Sequence, residues 1–385
     1  MNPVQHPDAA TIARSKHALG ERTGGDVDAG RAAAVPTRVH GGPDALGAAR
    51  WDFSTNANAA GPCPTVMAAV READASRYPD PSYRRLIERL AAWHGVCPSR
   101  VLVAASASEF IQRITAVSAR LLPGPVSVPA HAYGDYAWAA RAVGRGCVAD
   151  EAGEGAVLGD AGSGEAERPT LRWCCDPSSP LGQDAPVPDD LAACATVLDV
   201  AYGPLRLQGR SQWTAAARDA VFELVSPNKA LGLPGIRGAY VIAPREMASA
   251  GAGWVDALRA AEPSWPLGAH AVAMLQAWVS EGAQLWLARQ RDTLREWKVQ
   301  LVDVLEELGA TVQPSVTPFV CARLPEGVTV EGLRQYDMAV RDATSFGWPG
   351  WVRINALPPA AVQALAGAIA DMRKGAVAAS MKGRR

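Results

Sequence analysis

Lysine is nearly absent. Of the 38 basic residues in this 385-residue chain only five are lysines, at positions 16, 229, 298, 374 and 382, and all the others are arginine. Arginine stays protonated and forms no Schiff base, so chemistry of that kind falls to one of those few amines. Net charge is nearly absent too, and a formal −1 gives no electrostatic ground for a nucleic-acid or anionic membrane partner. No apolar run approaches the ~18 residues of a membrane-crossing helix, so no span is expected. His6 and Asp8, with no apolar stretch behind them, do not make a secretory signal. The seven cysteines are odd in number and lack CxxC spacing, which predicts reduced thiols in a cytoplasmic setting and no metal site. Hydrophobic residues at 48% against 20% charged exclude wholesale disorder, and the length permits two domains.

Apolar strands alternate with helical patterns through most of the chain. Residues 1 to about 36 are polar and aperiodic and are expected to form a mobile extension. Helices are predicted over 64–76, 84–94, 108–122 and 136–143. Short apolar strands are predicted at 101–104, 126–128, 171–175, 196–199, 220–225 and 239–243, with Cys174 and Cys175 on one of them. Strands with so few polar positions point to a mostly parallel sheet covered by helices on both faces, an α/β fold. Gly159 to Gly164 is glycine-rich, but no Lys-Ser/Thr follows it, and it reads as a surface connection. Long helical patterns over 268–308 precede strands at 319–324, 338–341 and 352–354, a helix at 330–336 and a closing helix from Pro359. That last third suggests a smaller α+β domain. The basic tail Met381 to Arg385 is expected to be only solvated.

The mid-chain lysine stands in Ser226-Pro-Asn-Lys229-Ala-Leu-Gly-Leu-Pro-Gly-Ile-Arg237, followed by glycines and an arginine eight residues on. An amine in this setting is expected to hold pyridoxal phosphate, which also needs an anion for its ring nitrogen, a ring partner, a phenol-oxygen donor and a phosphate cup. Asp199 ends an apolar strand, placing a carboxylate at the sheet edge where ligands sit in open α/β folds. Beside the ring nitrogen it would keep that atom protonated. Tyr202 would donate its phenol to the ring oxygen. Ser106-Ala107-Ser108-Glu109 joins a strand to a helix, so the free N–H groups at Ala107 and Ser108 and the serine hydroxyl form an anion site. Ser226 and Arg237 would complete the cup, Arg237 with a fixed fork of donors. Tyr133 would cover the ring face, with His131 the runner-up for that role and more simply read as an ordinary loop histidine. Lys229, Asp199 and Tyr202 are the catalytic candidates.

The order of these motifs resembles the fold-type I pyridoxal-phosphate enzymes, in the branch that holds histidinol-phosphate aminotransferases and cobalamin-pathway threonine-phosphate decarboxylases. The matching pieces run over roughly residues 38–372: Asp52-Phe-Ser-Thr-Asn56, Arg77-Tyr-Pro-Asp-Pro81, Ser106 to Glu109, Asp176-Pro-Ser-Ser-Pro-Leu-Gly182, Asp199 to Tyr202, Ser226 to Arg237, Arg341-Asp-Ala-Thr-Ser-Phe-Gly347 and Arg353-Ile354. The resemblance implies a large cofactor domain over 61–267 and a small α+β domain from 37–60 and 268–385. It also implies a homodimer with shared active sites, in which Tyr78 reaches the cofactor phosphate of the other subunit. His40-Gly41-Gly42 resembles the amino-terminal motif of the decarboxylases, where the histidine helps hold a substrate phosphate. Arg341 and Arg353 resemble their pair of anion-binding arginines, and with Asn56 they are the candidate substrate residues.

Two departures stand out. Ser178-Ser179-Pro replaces an Asn-Asn-Pro-type loop, so the Ser179 hydroxyl stands where an amide would bond the ring oxygen. Asn58-Ala-Ala-Gly lacks the proline that commonly follows the amino-terminal asparagine. On the motifs alone the expected activity is decarboxylation of L-threonine O-3-phosphate to (R)-1-aminopropan-2-yl phosphate. An aminotransferase acting on histidinol phosphate or a related amino acid is the first alternative. A catalytically degenerate binding module with the same fold is the second.

Overall fold

A computed structural model describes residues 39–150, 157–158, 168–249 and 253–382. The extension expected over 1–36, the glycine-rich connection at 159–164 and the last residues of the basic tail lie outside these. Eight strands form the larger sheet, in the order Val101–Ala104, Ala239–Ile242, Phe222–Val225, Ala195–Asp199, Leu171–Cys175, Val126–Pro129, Cys147–Asp150, Val157–Leu158. The four neighbouring pairs from Phe222–Val225 to Cys147–Asp150 are parallel. Ala239–Ile242 runs against both of its neighbours, so Val101–Ala104 points the same way as the parallel set. The mostly parallel α/β sheet expected from the apolar strands is therefore present.

The burial pattern explains why these strands show no polar face. Val101 and Val103 enter one apolar cluster, with Leu198, Val225 and the helices Pro64–Arg71, Arg84–His94 and Ala269–Trp278. Leu102 and Ala104 enter another on the opposite face, with Val197, Phe222 and the helices Ala107–Leu121, Asp135–Ala142 and Trp254–Ala260. Side chains alternate between two covered faces, so both sets must be apolar. The helix expected to reach residue 76 stops at Arg71. There the Asp74 carboxylate accepts from the Ser76 N–H at 2.9 Å, a local bond that competes with helical pairing.

A second, antiparallel sheet takes the strands Thr311–Val312, Phe319–Arg323, Val352–Asn355 and Arg341–Asp342 in that order. The helices Glu281–Glu307 and Pro359–Lys382 supply Leu301, Leu305, Val362, Leu365 and Ile369 to its core. The strand expected over 338–341 divides in two. Met338–Ala339 pairs in parallel with Trp51–Asp52, while Arg341–Asp342 pairs with Val352–Asn355. Val340, buried in the same core, is the point where the chain changes partner. Among the described residues no helix is long and apolar enough to cross a membrane.

Candidate active site

Six strands of the large sheet run the same way and end on one edge, and the residues singled out for the chemistry gather there. The turn after Val225 carries Ser226 to Lys229. Lys229 is half-buried, its N–H donating to Asn228 Oδ1 at 3.0 Å and its carbonyl accepting from the Asn58 N–H at 2.8 Å. The Asn58 amide also donates to the Ala230 carbonyl at 3.0 Å. Asn58, unusual in lacking a following proline, therefore clamps the lysine turn from an element far away in sequence. The lysine amine lies 5.1 Å from the centroid of the Tyr202 ring.

Asp199 is buried at the end of its strand. The Tyr136 phenol donates to its Oδ2 at 2.8 Å, and the Ala201 N–H donates to Oδ1 at 2.9 Å. Burial pushes the carboxyl above its ordinary range, opposed first by the Lys229 charge and then by these two donors. Tyr136 itself is fully buried, stacked on Trp173 with ring centroids 4.4 Å apart. Sequence reasoning did not assign Tyr136. It lies on the helix after Tyr133, and the only signal for it was its place in His131-Ala-Tyr-Gly-Asp-Tyr136.

The residues expected to form a phosphate cup lie at the start of the helix Ala107–Leu121 and in the turn after Val225. Ser106 caps the helix Ala107–Leu121 by accepting from the Glu109 N–H at 3.1 Å, and the Ser108 hydroxyl lies 3.2 Å from the Tyr133 phenol. The Ser226 hydroxyl is buried without a hydrogen-bond partner among the described residues, so a cofactor oxygen could pair with it. Arg237 is exposed. His131 is turned away: its Nδ1 is 2.9 Å from the Phe346 carbonyl and its ring packs on Trp348. Of the two candidates for the ring face, Tyr133 is the one that contacts Ser108 and Tyr136.

At the other end lie the two arginines. Arg341 and Arg353 are directly opposed in register across their strand pair, so their side chains leave the same face of the sheet. Both guanidinium groups lie over Phe346, at 4.6 and 5.4 Å from the ring centroid. Both are buried, and neither has an acidic partner among the described residues. Burial first, then the neighbouring Arg353, pushes Arg341 down to about 10. Arg353 is also lowered by burial. It donates to Ser179 Oγ at 3.3 Å and to the Ser54 carbonyl at 3.2 Å, while its Nε is buried and unpaired. The Ser179 hydroxyl thus faces Arg353, and no contact joins it to Tyr202. Arg341 donates to the Val39 carbonyl at 2.6 Å and to Ser345 Oγ at 2.7 Å. These bonds tie the residue before His40 to the arginine pair, although the His40 side chain is exposed. Asn56 is buried with both amide atoms unpaired. Tyr78 lies on the surface, 79% exposed and stacked on Trp265 at 4.6 Å.

The family model Aminotransferase class I and II matches residues 50–369. The chain belongs to that family. Among similar proteins, the histidinol-phosphate aminotransferase of Ruegeria pomeroyi is 28% identical over 82% of this chain and 89% of its own length. That of an Anaeromyxobacter species is 31% identical over 79% and 85%. The histidinol-phosphate aminotransferase of Sinorhizobium meliloti, solved with pyridoxal-5'-phosphate, has the same fold, with a TM-score of 0.69 at 19% identity over 89% of this chain and 96% of that one. The L-threonine-O-3-phosphate decarboxylase of Porphyromonas gingivalis gives 0.68 at 22% over 84% and 99%.

Pyridoxal phosphate, the cofactor of these aminotransferases, fits the residues present. An amine, a buried carboxylate held by two donors, an unpaired buried serine hydroxyl and a capped helix start lie on one sheet edge. Contacts run unbroken from Ser108 through Tyr133, Tyr136 and Asp199, and again from Lys229 through Tyr202 and Phe319 to Arg353. The Lys229 charge acting on Asp199 joins the two runs. The candidate cofactor residues and the candidate anion-binding residues thus lie along two runs of contacting side chains.

Proposed function

We propose that this chain moves an amino group between a phosphorylated amino compound of the histidinol-phosphate type and a 2-oxo acid. The observation that carries the reading is the Arg341–Arg353 pair, two buried cations side by side without an acid. Each destabilises the other, and an anionic substrate group would relieve both, with Arg353 free to form a planar fork on it. The named relatives at 28% and 31% identity are histidinol-phosphate aminotransferases, whereas the decarboxylase is a likeness of fold. That support reverses the order expected from the motifs.

When bound, the cofactor supplies an electron sink that lets a bond at the substrate Cα break. The chain's residues set which bond and where the proton goes. Lys229 Nζ is the base that takes the Cα proton and later delivers it on the other side of the exchange. Asp199 holds a proton on the cofactor's ring nitrogen, and Tyr136 and the Ala201 N–H fix the carboxylate in place for that task. Ser108, Ser226 and the helix start at Ala107 take the phosphate, with Arg237. Arg353 would orient the substrate's anionic end, and that orientation would set which bond at Cα is broken. Decarboxylation of threonine phosphate is the second reading, favoured by the bond from Arg341 to Val39 that seats His40-Gly-Gly beside the arginine pair.

Purified holoenzyme given histidinol phosphate and 2-oxoglutarate should form glutamate, identified by mass, and should do so only when the oxo acid is present. Release of CO2 and of 1-aminopropan-2-yl phosphate from threonine phosphate without any oxo acid would replace this reading with decarboxylation. No turnover of either, with no pyridoxyl group on the Lys229 peptide after borohydride reduction, would leave only a binding module.

A further inference from the structure

A second positively charged site lies on the other side of the turn that follows Tyr202. A cavity of about 500 Å³ is walled by the loop from Gly203 to Ser211 and by one face of the helix Glu281–Glu307. Four of its lining residues are arginines, Arg206 and Arg210 from the loop and Arg291 and Arg295 from the helix, and none is acidic. Two of the four are occupied. Arg206 holds Asp176 and Asp184, and Arg295 holds Asp292 at 2.5 Å and the Leu207 carbonyl at 2.9 Å. Arg210 and Arg291 have no hydrogen-bond or ion-pair partner among the described residues.

Arg291 is the less ordinary of the two. It is half-buried, and it stands one helical turn from Arg295, so burial and then the like charge of Arg295 work against its own, with the Asp292 carboxylate opposing them. Like charges four apart on a helix are destabilising, and Asp292 forms its ion pair with Arg295 and none with Arg291. A concave, acid-free wall bearing two unspent guanidinium forks matches a phosphoryl oxygen set, which two arginines can grip in bidentate fashion. The volume exceeds what one phosphate fills and lies in the range of small-molecule sites.

We propose that this cavity binds a phosphorylated small molecule through Arg210 and Arg291, at a site separate from the cofactor and the substrate. Arg206, shared between the cavity wall and the buried Asp176, places an occupant in touch with the loop that carries Ser179. The proposal stands whether the enzyme is a transferase or a decarboxylase.

Calorimetric titration of the holoenzyme with inorganic pyrophosphate, and separately with ADP, tests it. The parent should bind one pyrophosphate per chain, and Arg210→Gln with Arg291→Gln should weaken that binding at least about tenfold, the loss of one charge-assisted contact. The lysine pair Arg210→Lys and Arg291→Lys, which keeps the charge but loses the fork, should bind more tightly than the glutamine pair and more weakly than the parent, and Arg353→Gln should leave binding intact. An unchanged cofactor absorbance in the glutamine variant shows that it folds. Undiminished binding by that variant, loss of binding in Arg353→Gln, or no heat with either ligand at millimolar concentration would each overturn the proposal. Binding of ADP but not pyrophosphate would keep the site and assign its recognition to more than the phosphoryl group.

Discussion

At the scale of single residues, the acid at the strand end and the amine in the turn share their work with a phenol that no motif announces. Tyr136 gives Asp199 one of its two donors from a fully buried position. Tyr136→Phe removes that donor and leaves the ring packing on Trp173 intact. The Asp199 carboxyl then rises further, its charged form is less available to the ring nitrogen, and cofactor affinity should fall by the worth of one hydrogen bond, about 1 kcal/mol or roughly fivefold. Fluorescence titration of the apoenzyme with pyridoxal phosphate measures it. Lys229→Ala should cost far more, a drop in kcat on the order of 10²–10⁴ from the lost base, together with loss of the pyridoxyl label on that peptide. Lys298 makes a different prediction. It is buried in the helix Glu281–Glu307, bonded among the described residues only to the Ser315 carbonyl, and burial pushes it down to about 8. Between about pH 8 and its unfolded value of about 10.5 the unfolded chain holds a proton that the folded one does not. Stability should therefore rise with pH across that window, by at most ~1.4 kcal/mol per unit. In Lys298→Met that part of the slope should vanish, as urea unfolding of parent and variant at several pH values will show.

At the scale of elements, what was legible in the sequence was what is local. The strand Leu171–Cys175 and the helix Arg84–His94 lie where periodicity put them, because two covered sheet faces and one covered helix face each write their own repeat. Ser106 and Lys229 were legible for a similar reason, each being defined by its immediate neighbours. The split of the expected 338–341 strand between two sheets was not, since pairing partners come from residues 51–52 and 352–355. Nor was the role of Asn58, which depends on the lysine turn more than 170 residues away. Ser179 was given the ring oxygen by analogy of position, and only the packed sheet puts it against Arg353. The clamp between Asn58 and the lysine turn rests on one close approach. Gly232 has a φ of +67°, and a Cβ there would lie 2.1 Å from the Gly61 carbonyl oxygen. That contact is backbone against backbone and cannot be relieved by a rotamer. Gly232→Ala should destabilise by about 2 kcal/mol or more and push residues 58–61 off the lysine turn. A lower urea midpoint with an unchanged slope, alongside weaker cofactor retention, is the expected outcome.

At the scale of the whole molecule, the exposed aromatic pair is the feature a single chain does not explain. Tyr78 and Trp265 stack on each other at the surface, and the Trp265 indole donates to the Pro79 carbonyl at 3.2 Å. Trp265 does so with a φ of +49°, a conformation that costs a bulky side chain energy. Such a pair, held in strain and left in water, would fit a surface that a second copy covers, where the resemblance has Tyr78 reach the cofactor phosphate of the other subunit. Site sharing of this kind has a consequence that no stability measurement would mimic. In a mixed dimer of one Lys229→Ala chain and one Tyr78→Ala chain, the two lesions fall in the same site. The other site draws its lysine from the second chain and its tyrosine from the first, and is whole. Chains mixed in equal amounts under exchanging conditions should form half of their dimers in this mixed state, and so should recover about a quarter of the parent activity. If each chain instead supplied its own tyrosine, every site would carry one lesion or the other, and mixing would give only the average of the two inactive parents.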